Sequence, residues 1–231
     1  MQIDVSWSPD ILTRFPELAI CVGTITRIRN QEENEQLSQL KKTVYEEARA
    51  KHNVDALKDN PTVRAYRDFY WKLAIDPTKT RPSGEALLRR VLNGNELPNI
   101  STVVDAYNLA SMQTIIPISG FDRDRLNPPF HIRFAKNEAF TGIGMKKPIL
   151  LTEKMLILTD EKQALCIYPN RDSDNTKITL QTQRAVTVGY GAPRIGQEQL
   201  KGAIERTLEY IKRVSGGEIE TVKIFGKFTN C

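Results

Sequence analysis

The chain has 231 residues, 40% hydrophobic and 26% charged, with a formal net charge of +5 and a pI near 9.1. That composition is ordinary for a folded globular protein and long enough to bury a substantial core; no stretch reaches the roughly 18 consecutive apolar residues of a membrane span. Three cysteines without short spacing, and two distant histidines at His52 and His131, supply neither a disulfide framework nor a zinc ligand set. No metal and no cofactor is expected. Met1-Gln2-Ile3-Asp4-Val5 lacks the basic and apolar segments of a secretion signal, so the cytoplasm is the expected compartment.

In chain order, Ile3 to Trp7 alternates like a half-buried strand, Ser8-Pro9-Asp10 reads as a turn, and Leu18 to Ile25 suits a central strand. Leu37, Leu40, Val44 and Ala48 recur at helical spacing among Glu, Gln and Lys, which predicts a surface helix with one buried stripe. Asn60-Pro61 offers a cap and first-turn proline for a second helix with Val63, Tyr66, Phe69, Tyr70 and Leu73 inside. A third helix is expected over Ser83–Asn93, stopped by Gly94. A fourth runs from about Ile100 to Met112, its core face formed by Ile100, Val103, Val104, Tyr107 and Ser111. Strands then dominate. Phe130, Ile132 and Phe134 alternate, and Met155–Thr159 and Ala164–Tyr168 form a hairpin about Asp160–Gln163. Ile178, Leu180 and Thr182 alternate again, and Ala185–Tyr190 is a further strand. A last helix carries Leu200, Ile204, Leu208, Ile211 and Val214 as far as Gly216-Gly217, before a closing strand at Ile219–Phe225. This order lacks regular βαβ alternation, so the fold class is α+β, and one domain over 1–231 is the simplest division.

Phosphate-binding loops and nucleophile elbows are absent. Thr141-Gly142-Ile143-Gly144-Met145 reads as a turn, and Asp122-Arg123-Asp124-Arg125 as a solvated loop with mutual ion pairs. The fourth helix is more informative. Ser101, Asp105, Asn108 and Met112 fall along one flank of its apolar stripe, with Asp105 and Asn108 three residues apart. Two short hydrogen-bonding side chains there serve either as internal bracing or as the polar rim of a pocket.

Several segments in succession resemble one family. They are Asp76-Pro77-Thr78-Lys79-Thr80-Arg81-Pro82-Ser83, Glu85-Ala86-Leu87-Leu88-Arg89-Arg90, and Val103-Val104-Asp105-Ala106-Tyr107-Asn108. The last continues without a gap to Pro117-Ile118-Ser119-Gly120-Phe121-Asp122-Arg123-Asp124-Arg125-Leu126. The resemblance is to the tRNA-editing B-three/B-four module of the bacterial-type phenylalanyl-tRNA synthetase β subunit, and more closely to stand-alone proteins made of that domain. It implies an α+β fold with helices packed on a β-sandwich, and hydrolysis of a misacylated tRNA ester by a positioned water rather than a triad. On the matching positions, Asn108 falls on the pocket asparagine and Asp105 on the aspartate of the same segment. Tyr107 stands where the family has threonine, and Ser119 where it has the pocket histidine. The glycine-rich loop with its glutamate has no counterpart after Tyr168, where Pro169-Asn170-Arg171-Asp172 follows.

The catalytic candidates are therefore Asn108, Asp105 and Ser119, and the partner is tRNA or aminoacyl-tRNA. Arg81, Arg89, Arg90, Lys146 and Lys147 flank the matching segments as the candidate RNA contacts. Two alternatives stay open: a non-catalytic RNA-binding module on the same fold, and a protein that binds a small amino-acid-like ligand. The catalytic and anticodon-reading parts of a synthetase have no place in this length, so charging of tRNA is not expected.

Overall fold

The computed structural model describes residues 3–226; Cys231 lies outside them. β1 (Val5–Trp7) leads into α1 (Pro9–Arg14), a short helix where the sequence suggests a turn. Pro9 occupies the first helical position, where a missing N–H leaves nothing unsatisfied. β2 (Ala19–Thr26) is buried along almost its whole length, as a central strand should be. In α2 (Glu35–Lys51) the Asn34 side chain accepts the Leu37 N–H, and Leu37, Leu40, Val44 and Ala48 turn inward. α3 (Pro61–Lys72) is capped by Asn60 and buries its aromatic stripe in the core, and α4 (Ser83–Leu92) ends ahead of Gly94 at φ 83°. α5 (Thr102–Thr114) is capped by Ser101, and ten of its 13 residues are buried, Asp105 among them. It is enclosed rather than amphipathic. Ile100, expected on its core face, precedes the helix and is 54% exposed.

The second half is mostly strand: β3 (Ile118–Asp122), β4 (Phe130–Phe134), β5 (Glu138–Phe140), β6 (Ile149–Leu151), β7 (Leu156–Thr159), β8 (Ala164–Ile167), β9 (Arg171–Asp172) and β10 (Arg184–Tyr190). α6 (Gln197–Ser215) and β11 (Glu218–Gly226) complete it. Two sequence expectations change here. Ile178–Thr182 forms no strand, and Leu180 faces solvent. Asp122–Arg125 is solvated only in part: Asp124 and Arg125 are exposed and Arg125 lies 3.9 Å from Asp122, but buried Asp122 accepts the Thr182 hydroxyl at 2.7 Å and buried Arg123 pairs with Glu220 at 2.6 Å.

Strands β11-β2-β10-β3 form one antiparallel sheet, and β1-β4-β7-β8-β9 a second in which only β1 and β4 run parallel. β5 and β6 make a separate pair. α6 lies across the four-stranded sheet so closely that a Cβ on Gly23 would sit 2.5 Å from Ile204 Cγ2. Buried residues from Ile3 to Val214 form one continuous core, and a smaller cluster around Phe140, Leu151 and Ile157 lies beside it.

Candidate functional site

The two sheets meet where β3 faces β9. Ser119 stands opposite Val188 on β10. Directly opposed residues share a face, and so do residues two apart. Ser119, Val188 and Tyr190 therefore point the same way. Gly120 points the other way, and only a glycine fits there, because a Cβ would lie 2.6 Å from Tyr107 Cε1 on α5. On the second sheet, Asp172 of β9 pairs with Cys166 of β8. The Ser119 hydroxyl donates to Asp172 Oδ1 and ties one sheet to the other.

Asp172 keeps partial solvent access as a residue while its carboxyl is enclosed. Burial pushes that carboxyl up to about 6, against the lowering influence of the Ser119 hydroxyl, the Cys166 thiol and the Arg171 charge. The Cys166 thiol is held well above its ordinary range, first by burial and then by Asp172. Around this group lies a shell of tyrosines. The Tyr168 ring meets Tyr190 edge-on at 4.8 Å and donates its hydroxyl to Gly191 O at 2.9 Å, and Tyr66 donates to Tyr190 O at 2.6 Å. The Tyr190 hydroxyl sits by Ser119 and Cys166 but makes no hydrogen bond of ordinary geometry; nor does that of Tyr70, which is equally buried. An enclosed, unsatisfied Tyr190 hydroxyl beside a carboxyl of raised pKa, with that of Tyr70 near Cys166, makes this a chemically loaded part of the interior.

The structure distributes the sequence candidates unequally. Asp105 accepts from Lys41 Nζ at 2.5 Å and from the Ile100 N–H at 3.0 Å, so it braces the entry to α5 against α2. Asn108 is half-buried, and its amide makes no hydrogen bond among the described residues. Ser119 does not join them. The period-two alternation of β3 turns it away from α5 and toward Asp172, 53 residues further on. Of the cations, Arg89 is bonded to the buried Glu85 carboxylate at 2.7 Å, together with Arg67, and Arg90 Nε donates to Glu96 O at 2.6 Å. Arg81, Lys146 and Lys147 are exposed and form no ion pair among the described residues.

Sequence reasoning missed Asp172, Cys166 and Tyr190. The one available signal was a carboxylate a few residues past the end of an apolar strand, where the chain doubles back beside it. Among the described residues, no group of three His, Cys, Asp or Glu side chains is placed to hold a metal ion, and no helix is long and apolar enough to cross a membrane.

The sequence matches the B3/4 domain over residues 65–216, about two thirds of the chain, and the protein belongs to that family. The fold is similar to that of an N-terminal fragment of the phenylalanyl-tRNA synthetase beta-subunit from Pyrococcus horikoshii, with a TM-score of 0.52 and 15% identity. The match covers 95% of this chain and 50% of that one, so the protein spans about half the length of the fragment. At that identity the likeness speaks for the fold alone. No curated protein sequence matches the chain.

Proposed function

We propose that the chain is a single-domain, tRNA-editing-type hydrolase that cleaves the ester of a misacylated aminoacyl-tRNA, with Asp172 and Ser119 as its working pair. One observation carries the reading: a carboxyl raised to about 6 and bonded to a serine, between the β3 and β9 strands of a B3/4 fold. Near neutral pH such a carboxyl is mostly ionised yet more basic than an ordinary aspartate, which suits a general base. With Ser119 donating to Oδ1 and the Cys166 thiol beside it, the carboxylate takes a proton from water. The water oxygen bonds to the ester carbonyl carbon, the bond to the ribose oxygen breaks, and the proton returns to that oxygen. Ser119 positions the base and is not itself the nucleophile, because neither histidine is among its partners.

Incubation with a panel of aminoacylated tRNAs tests the reading directly. Deacylation of at least one species should rise with pH through about 6 and fall by ~10² or more in Asp172→Asn. Cleavage that is unchanged in that variant would falsify the assignment. The exposed Arg81, Lys146 and Lys147 favour a second reading, a module that binds tRNA without cleaving it. Binding with no deacylation across the panel would establish that instead.

A further inference from the structure

A concavity of about 480 Å³ opens where the end of β2 meets the C-terminus of α6 and the start of α2. Arg27 and Arg29, just past the end of β2, line it together with Lys212 and Arg213 of α6 and with Asn34 and Gln36; no carboxylate lines it. Glu218 pairs with Arg27 at 2.7 Å, but both side chains are more than 60% exposed, so water screens the pair. Arg29, Lys212 and Arg213 have no ion-pair partner among the described residues. Four cations less Glu218 leave +3 in this one place, against +5 for the whole chain.

Lys212 and Arg213 alone would be explained by the helix dipole, since cations gather at helix C-termini. Arg27 and Arg29 have no such reason, since they follow β2 and belong to no helix. The backbone that carries them is held in place: Ile28 N–H donates to Gln183 O at 3.0 Å, Arg29 N–H to Ser215 O at 2.8 Å, and Asn34 Nδ2 to Val214 O at 2.7 Å. The first turn of the 17-residue α2 adds its positive end to the same place. No aromatic side chain lines the groove, so it offers no platform for stacking bases and suits a phosphodiester backbone read without sequence preference. Four cations contributed by two separate segments along one groove fit a chain of phosphates better than one isolated phosphate.

We infer that this groove is the surface that grips the sugar-phosphate backbone of an RNA, in place of the α4 arginines, of which Arg89 is held by the Glu85 carboxylate and Arg90 by the backbone carbonyl of Glu96. The inference rests on the reading of the chain as acting on tRNA, and it concerns a different surface from the Asp172 centre. Along β2 and β10 the groove lies about five residues, or about 17 Å, from the row that holds Ser119.

Anisotropy of labelled tRNA with the full chain, at several salt concentrations between roughly 50 and 200 mM, tests this. In Arg29→Glu/Arg213→Glu the affinity should fall about tenfold or more, and the log–log salt slope should shrink by about 0.9 for each phosphate that is no longer neutralised. Arg29→Gln/Arg213→Gln should lie between that variant and wild type, and circular dichroism should show all three folded. Arg81→Glu/Lys147→Glu should weaken binding less. Equal binding by wild type and the groove variants overturns the inference, as does an absence of tRNA binding by wild type. Tripolyphosphate binding that depends on the groove while tRNA does not bind also overturns it, in favour of a small phosphate ligand. Deacylation measured on the same samples separates the two proposals. Groove-dependent binding without cleavage leaves the groove standing and removes the hydrolase. Cleavage that survives with unaltered binding in the groove variants does the reverse.

Discussion

Replacing Asp172 by Asn should make the protein more stable near neutral pH and less active. Asn keeps an oxygen that accepts the Ser119 hydroxyl and removes only the enclosed charge. The sign follows from linkage. Because burial raises the folded carboxyl to about 6, the folded state binds more protons than the unfolded chain between about pH 4 and 6. Its contribution to stability is therefore full below pH 4, declines as pH rises through 6, and stays at its lower value above. Each pH unit between the two pKa values corresponds to about 1.4 kcal/mol, so the upper bound is about 3 kcal/mol. The residue keeps some contact with solvent, which reduces the expected difference to about 1–3 kcal/mol at pH 7.5. For a chain of this length that amounts to a rise of about 2–4 °C in Tm per kcal/mol. Urea unfolding of wild type and variant at several pH values from 4 to 8 isolates the effect, because other carboxylates cancel in the difference. The variant should gain over wild type as pH rises from 4 to 6 and hold that gain above. A difference that is flat with pH would show that Asp172 carries no such charge penalty, and the general-base argument would lose its support.

Ser119→Ala removes a hydrogen bond that lowers the Asp172 pKa, so the rise of activity with pH should move to higher pH while some cleavage persists; an unmoved profile would disconnect the two residues. Asn108→Ala should leave stability within about 0.5 kcal/mol of wild type, since the amide has no partner to lose, and should reduce cleavage less than Asp172→Asn does. Gly120→Ala should cost about 1–3 kcal/mol through the clash with Tyr107, and Tyr107→Ala in the same chain should recover part of it; additive losses on denaturation would argue against the clash. Glu85 is drawn upward by burial and held below its ordinary range by Arg67 and Arg89, so its contribution is present above the ordinary carboxylate range and lost as pH falls through its folded value. Glu85→Gln leaves two part-buried guanidinium groups short of a carboxylate and should cost about 3 kcal/mol at pH 7, read by urea unfolding.

What the sequence determined by itself was local. Asn60-Pro61 announces a helix start because a cap acts on N–H groups two or three residues away. The stripes of α2, α3 and α6 follow from a period that any short window reveals, and runs of consecutive residues from Asp76 to Leu126 were enough to carry the family resemblance. Ile118–Asp122 could not be read in this way. Its Ser, Gly and Asp have weak strand preference, and it is a strand because β10 pairs with it. That pairing also decides which way Ser119 faces: a one-residue change of register would turn it back toward α5. Asp172 gains its raised pKa only because a strand from the other sheet brings it against Ser119, 53 residues distant, and shuts out most of the water. The same holds for charge. Arg89 looks available in the sequence and is held by Glu85 in the fold, whereas Arg29 and Arg213, 184 residues apart, become neighbours only when β2 runs past the end of α6. Burial and long-range electrostatics depend on distances across the folded chain, and those distances are set by how the sheets and helices pack.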